Sequence, residues 1–360
     1  MIHPPHDHGA RRAQVRAQLH VLAIDALVVT HPVDVRWLSG LEASYGQVLI
    51  AADPDLDRLW TDGRYAEPAT ATGMQVRTTS WIAELSDQLV SVIGGKRLGF
   101  QSEHLRVREH GQLQAAMASG TLVATERVLA ELRRFKDAAE LSRIAAACAI
   151  SSAAWDWLVA TVSAGLSERE IALALVRHLE DLGAQGPAFD AIVASGPNSA
   201  VPHHHPTDRA LGRGELLKVD FGAKVEGYMS DCTRTLAMGE PGAQLREIHQ
   251  AVREVQQAGV LACTSGMRAG QLHEQTIGAL EARDLGATVH GLGHGLGLEI
   301  HETPILSSEP AAILESGFVV TVEPGIYVPG LGGVRIEDTV AITTTGPRRL
   351  TTCGHELVVL

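Results

Sequence analysis

Residues 216–238 read LLKVDFGAKVEGYMSDCTRTLAM, and this stretch decides how the second half of the chain is built. Two runs rich in apolar and β-branched residues flank KVEG at 224–227, a turn ending in glycine, which is the pattern of a β-hairpin. Counted outward from a turn centred between Val225 and Glu226, Asp220 stands opposite Asp231. Directly opposed residues have Cβ atoms about 4.5–5.5 Å apart, and like charges so placed destabilise the pair. Asp is also depleted in strands. A positive partner is therefore expected between the two acids.

A second hairpin repeats the arrangement. FVVTVEPGIYV (318–328) and GGVRIEDTVAI (332–342) flank Pro329-Gly330-Leu331, and Glu323 and Glu337 are equidistant from Gly330. One such pair alone is compatible with acids facing solvent, or with acids held by Arg234 and Arg335. Two pairs set among apolar β residues point to a shared cation site. Between the hairpins lies HGLGHGLGLEIHETP (290–304), with glycines at 291, 293, 295 and 297. Such a run predicts neither a helix nor a substantial strand, and glycine lets backbone approach a ligand closely. The alternative is a glycine-rich loop with solvated histidines. Four carboxylates and an imidazole suit borderline divalent cations, and a two-metal site spaced about 3.5–4 Å activates water for hydrolysis.

Outward from the hairpins, RRFKDAAEL (133–141) marks a boundary and a long helix is expected to follow, to about Val162, where Gly165 breaks it. Ser167-Glu168-Arg169-Glu170 is an S-x-x-E capping box opening a second helix, and Gly183 closes it. Further helices fit 243–264 and 270–285. Strands fit 189–195, 215–223, 228–238, 317–328 and 333–343. Helices and antiparallel hairpins in separate blocks predict an α+β domain over 136–360. Residues 1–135 instead interleave strands (26–30, 47–52, 58–62, 74–80, 97–101, 121–125) with helices (82–92, 106–118, 126–135), which predicts a smaller α/β domain. The face of helix 82–92 is Ile82, Leu85, Leu89 and Ile93. Nothing in that domain concentrates titratable groups by sequence, so it reads as a scaffold or lid.

The chain has 360 residues, 45% hydrophobic and 20% charged, with a formal net charge of −12. Nucleic-acid binding favours a basic face, so nucleic acid is not an expected partner. Cys148, Cys232, Cys263 and Cys353 stand far apart in sequence, as expected of reduced thiols in a cytoplasmic protein. No apolar run approaches the ~18 residues of a membrane span, and no membrane partner is expected. His3, His6 and His8 fall at a terminus expected to fray.

V-D-F-G at 219–222, S-D-C-T-R-T at 230–235, G-L-G-H-G-L-G-L-E-I-H-E at 291–302, E-P-G-I-Y at 323–327 and G-V-R-I-E-D at 333–338 resemble the creatinase/aminopeptidase family. The resemblance is specifically to its proline-specific metallopeptidases, aminopeptidase P and prolidase. It covers nearly all of 136–360 and, more loosely, W-L-S-G at 37–40 and W-T-D-G-R-Y at 60–65. It implies a pita-bread catalytic domain with pseudo-twofold symmetry behind a creatinase-like N-terminal domain. It implies Asp220, Asp231, His294, Glu323 and Glu337 as ligands of two divalent metal ions, manganese ahead of cobalt, zinc or iron. Glu323 is then expected as general base, with His203, His290 and His301 as catalytic histidines and Arg335 and Tyr327 near the substrate. His203 is followed by His204 and His205, where the family pattern has Gly or Tyr, and these two default to surface histidines. The implied reaction is hydrolysis after an N-terminal residue that precedes proline in small peptides, leaning to aminopeptidase P. Prolidase, a methionine-type aminopeptidase and a non-catalytic peptide-binding relative are the alternatives. Relatives commonly form dimers or tetramers, so a homo-oligomer is expected.

Overall fold

The computed structural model describes residues 3–79, 82–117, 120–307 and 312–360. The predicted strand 74–80 and helix 106–118 each run one residue outside this set, and the side chains of Ile82 and Leu85 also lie outside the described residues. Contacts divide the chain into Pro5–Arg133 and a larger unit of Arg134–Leu360 with the first four residues.

The smaller unit runs α1 (His8–Val21), β1 (Ala26–Val29), α2 (Pro32–Ser39), β2 (Gly46–Ala51), β3 (Arg58–Thr61), α3 (Ala66–Thr70), β4 (Gln75–Thr78), α4 (Ile82–Ile93), β5 (Arg97–Gln101), α5 (Val107–Ala116), β6 (Thr121–Thr125) and α6 (Val128–Arg133). Its six strands form one sheet in the order β4-β3-β2-β1-β5-β6. Strands β1, β5 and β6 are parallel, and β2 turns the direction over. Leu49, Trp60, Leu89, Leu98 and Phe100 share its core. Helix α2 has no counterpart in the sequence expectations, although Pro32 opens it and Gly40 ends it at φ +81°, the usual proline-first, glycine-last asymmetry. The N-terminal histidines are tied down, contrary to expectation: His8 Nδ1 lies 2.9 Å from the Trp37 carbonyl, and His3 Nδ1 lies 2.8 Å from Ser142 Oγ.

The larger unit runs α7 (Ala138–Thr161), α8 (Glu168–Asp181), β7 (Ile192–Ser195), β8 (Glu215–Phe221), β9 (Lys224–Val225), β10 (Tyr228–Met229), β11 (Cys232–Met238), α9 (Ala243–Ala262), α10 (Ala269–Glu281), β12 (Gly293–Gly295), β13 (Glu302–Leu306), β14 (Val319–Val322), β15 (Gly325–Val328), β16 (Gly332–Arg335), β17 (Asp338–Thr343) and β18 (Gly346–Arg349). The order is a repeat of one plan. Helices α7 and α8 are joined through Gly165 and α9 and α10 through Gly266, both at φ +92°, and each helix pair leads into one carboxylate hairpin. This is the pita-bread architecture with its pseudo-twofold symmetry. The capping box at α8 forms as expected: Ser167 Oγ accepts from Glu170 N–H at 3.2 Å, and Glu170 Oε2 accepts from Ser167 N–H at 2.8 Å.

Helix α7 corrects one sequence expectation, because its 24 residues are long and apolar enough by composition to cross a membrane. In the fold it buries Ala147, Ala154, Trp155 and Leu158 in the core shared with β8 and β11.

The two hairpins meet the register expectation differently. Around Pro329-Gly330-Leu331 the count holds, with Gly325 opposite Arg335 and Val322 opposite Asp338. In the first hairpin the turn is the two residues Glu226-Gly227, both at positive φ (45° and 81°), as a type I′ turn requires. Asp220 therefore faces Thr233 and not Asp231. A displacement of two residues preserves side-chain parity, so both acids stay on one face. Both hairpins are interrupted where the other three acids stand: at 230–231 between β10 and β11, at 323–324 between β14 and β15, and at 336–337 between β16 and β17. Pro324 has no N–H to give the ladder. The freed Glu337 N–H instead donates to the Thr233 carbonyl at 3.0 Å, which stitches the second hairpin to the first.

Candidate metal centre

The glycine-rich stretch supplies one ladder of this site. It was expected to make a poor helix and at most a thin strand, and three of its residues do form one: β12 lies between β13 and β14 in a five-stranded sheet. The glycines serve that packing: a Cβ on Gly293 would sit 2.1 Å from the Thr321 carbonyl oxygen, and one on Gly295 2.4 Å from that of Thr303. The strand delivers His294 into a cavity of about 450 Å³, which is also lined by Asp220, Asp231, Glu323 and Glu337. All five expected ligands are thus brought to one place.

Within it, ligand atoms of Asp231, His294 and Glu337 lie within 4.8 Å of one another. His294 Nε2 is 3.4 Å from Glu323 Oε1 and 3.6 Å from Asp231 Oδ2. His294 Nδ1 lies 3.0 Å from the Gly295 carbonyl, so Nδ1 carries the proton and Nε2 offers its lone pair to the carboxylates. Asp220 Oδ1, Asp231 Oδ1 and Glu337 Oε1 are buried with no hydrogen-bond donor. A buried carboxylate oxygen without a donor is costly, and three around one cavity fit coordination by cations. Burial pushes Asp231 well above the usual carboxylate range, with Glu337 and Asp220 adding repulsion. Glu337 is raised in the same way, by burial and then by Glu323 and Asp220. Burial likewise lifts Glu323 to about 7, against the pull of Arg335. Arg335 offsets only part of the repulsion among these carboxylates, and the donor set suits manganese, cobalt, zinc or iron alike.

Arg335 is the cation built into the chain. Its Nη2 donates to Asp220 Oδ2, its Nη1 to Tyr327 Oη at 3.0 Å and its Nε to Thr233 Oγ1 at 3.0 Å. Thr233 Oγ1 in turn donates to Glu337 Oε2 at 2.6 Å. Burial works against the Arg335 charge, but Tyr327 and the carboxylates around it hold its pKa above the usual value.

The same chain of donors fixes His290. A guanidinium only donates, so Tyr327 Oη accepts from Arg335 and gives its own proton to His290 Nε2, 2.8 Å away. His290 Nδ1 lies 2.8 Å from the Gly291 carbonyl and donates there. Both ring nitrogens are therefore committed, and burial, with Arg335 nearby, pulls the ring down to about 4. His290 lines the cavity but is a weaker candidate for proton transfer than the sequence expectation made it. Tyr327 is 3% exposed and stands behind His290, outside the cavity lining.

His203 and His301 line the cavity from exposed positions. The His301 ring meets His294 edge-on at 4.4 Å. Burial lowers both His203 and His301 from their ordinary values. His204 is not a plain surface histidine: it lines the cavity, and its Nε2 lies 2.8 Å from Glu168 Oε2. His205 lines the cavity and is exposed.

Two residues that sequence reasoning passed over organise this histidine segment. Glu168, read only as the interior of a capping box, is fully buried and accepts from Ser195, Asn198, His204 and Thr207. Burial alone would raise it, but the donors, Thr207 foremost, hold it at about 2. Lys218 is fully buried on β8, two residues before Asp220, and donates to the Val201 and Pro202 carbonyls at 2.7 and 3.3 Å. Burial pulls its pKa down to about 6.

Two clusters correct the sequence reading elsewhere. In the smaller unit His31, Asp34 and His104 bring ligand-type atoms within 4.8 Å of one another, so titratable groups do gather there. The two imidazoles are stacked at 3.8 Å and 9°. Metal–imidazole bonds of about 2.0–2.1 Å lie along in-plane lone pairs, so parallel stacked rings cannot both aim at one ion between them. In the larger unit, Cys232 and Cys353, far apart in sequence, are buried free thiols with sulfurs 3.4 Å apart.

The model of metallopeptidase family M24 matches residues 142–344, over half of the chain. The chain belongs to metallopeptidase family M24. The creatinase/prolidase N-terminal domain matches residues 11–135 ahead of it. Among similar M24 proteins is an uncharacterized peptidase of Bacillus subtilis, YqhT, 37% identical over 94% of this chain and 97% of its own. Among solved structures, an Xaa-Pro dipeptidase from Bacillus anthracis superimposes with a TM-score of 0.94 at 32% identity, covering 98% of this chain and 100% of that one. An X-Pro aminopeptidase from Thermotoga maritima gives 0.88 at 30% identity, covering 96% and 100%.

Proposed function

We propose that this M24 protein is an Xaa-Pro exopeptidase, releasing an N-terminal residue that precedes proline. The observation that carries the reading is the set of three orphaned carboxylate oxygens around one cavity beside His294. Asp220, Asp231, His294, Glu323 and Glu337 would hold two divalent cations, manganese first. When bound, such ions polarise a carbonyl and acidify water. Glu323 takes the proton of the attacking water at its carboxylate and passes it toward the leaving proline nitrogen. His203 and His301 donate to the developing oxyanion, the role of positioned donors in acyl transfer. Arg335 holds Asp220 and Thr233 in place, and through Tyr327 it fixes the His290 tautomer. The protein is read as a cytoplasmic homo-oligomer.

Longer peptides are the preferred substrates, in the manner of aminopeptidase P. Among the described residues lining the cavity, Arg335 is the one lysine or arginine, and its nitrogens are engaged by Asp220, Tyr327 and Thr233. A dipeptide's free carboxylate would find only histidines. The second reading, a prolidase, is favoured by the Bacillus anthracis neighbour. A panel of Xaa-Pro, Xaa-Pro-Yaa and Met-Ala-Yaa peptides, assayed with Mn²⁺, Co²⁺ or Zn²⁺ after chelation, separates the readings. Cleavage of Xaa-Pro-Yaa supports the first, and cleavage of dipeptides alone identifies a prolidase. Cleavage of Met-Ala-Yaa alone removes the proline claim.

A further inference from the structure

We infer that Lys218 is a positioning residue for His203, acting through the two peptide carbonyls that precede it. The inference rests on the reading of His203 as a catalytic donor. The His203 ring makes no hydrogen bond among the described residues, and the residue is exposed, so no hydrogen bond to the ring fixes it and the hold on its backbone matters most. That backbone is gripped from inside. Lys218 Nζ donates to the Val201 and Pro202 carbonyls at 2.7 and 3.3 Å, and Arg335 Nη1 reaches the same Pro202 carbonyl at 3.4 Å. On the far side Glu168 holds His204 and Thr207. His203 is thus strung between two buried anchors.

Besides the two carbonyls, Lys218 brings its nitrogen into a cation–π approach to Tyr327. It makes no ion pair with a carboxylate among the described residues, and its Nζ lies 5.0 Å from the centre of the Tyr327 ring. Burying a lysine nitrogen is costly unless its hydrogens are used. Two N–H bonds are enough for two carbonyls, so the grip operates whether the nitrogen is an amine or an ammonium. Strand β8 links the grip to the metal centre: residues i and i+2 share a strand face, so Lys218 and Asp220 register the histidine segment against the carboxylates.

The test is a double-mutant cycle on the full-length protein loaded with Mn²⁺, using an Xaa-Pro-Yaa peptide. Lys218→Met keeps the length of the side chain and removes its donors. It lowers kcat roughly ten- to a hundredfold, the scale of a misplaced catalytic group, with KM within about twofold and metal content unchanged. In a His203→Ala background the same change costs no more than about twofold, since coupled residues are not additive. Its pH–rate profile also takes the shape of that of His203→Ala. Full additivity, or a loss confined to KM, overturns the inference. If His203→Ala leaves kcat unchanged, the catalytic reading of His203 is what fails. Should Lys218→Met not fold, Lys218→Gln, which keeps amide donors on a shorter stem, carries the same cycle with a partial loss.

Discussion

His290 has both ring nitrogens spoken for, by Tyr327 and by the Gly291 carbonyl, and this separates it from its neighbours. His290→Phe should lower kcat by loosening Tyr327 and Arg335 while leaving both limbs of the pH–rate profile in place. His203→Ala or His301→Ala should change the shape of that profile. A limb lost in His290→Phe would show that the ring exchanges protons after all. Asp231, buried with an orphaned oxygen beside His294, makes a plainer case. Asp231→Asn is expected to lose metal and activity together. Two metals per chain by elemental analysis of that variant would refute the ligand set.

At the scale of elements, β12 is tightly constrained by its neighbours. Gly293→Ala places a methyl group 2.1 Å from the Thr321 carbonyl, and overpacking of this kind costs about 1–3 kcal/mol or more. A clear drop in melting temperature is expected, whereas Gly183→Ala, with open space around it, loses only what its φ of +98° imposes. The segment 195–207 depends on Glu168 in a pH-dependent way. Its folded pKa of about 2 lies below its ordinary value, so its stabilisation is present above about 4.3 and is lost as pH falls toward 2. Glu168→Gln should therefore be less stable at neutral pH and show a shallower acid-unfolding slope by circular dichroism.

The same elements show what the sequence discloses. The second hairpin was legible to the residue because Pro329-Gly330-Leu331 leaves one plausible centre. The first was displaced because its turn puts a glutamate, Glu226, at positive φ, which residue type does not advertise. Its acids still landed on the right face. Strand β12 was legible only as a thin strand, because three residues, two of them glycine, carry no periodicity, and the neighbouring strands place it. Glu168 and Lys218 were invisible as anchors because their partners lie 27–39 and 16–17 residues away and answer to no local pattern.

At the scale of the whole molecule, the proposed centre is expected to tie stability to metal. Without cations, the raised pKa values of Asp231, Glu323 and Glu337 mean that stability is fullest below the ordinary carboxylate value and is lost as pH rises through about 7, where Glu323 would ionise. Calorimetry from pH 5 to 8.5 should show the chelated protein losing melting temperature as pH rises, with the gap to the Mn²⁺-loaded protein widening. A constant gap would mean that the acids are not the groups being neutralised.

One hydrogen bond bears on how such a centre opens. Glu337, where the second hairpin leaves its own ladder, gives its amide to the carbonyl of Thr233 inside β11, so this bond ties the two hairpins together beside the cavity. Any parting of the hairpins at that point breaks the bond. Buried and bonded across the two hairpins, the amide proton of Glu337 is expected to exchange slowly with deuterium, and fast exchange in the folded protein would show that the hairpins part there.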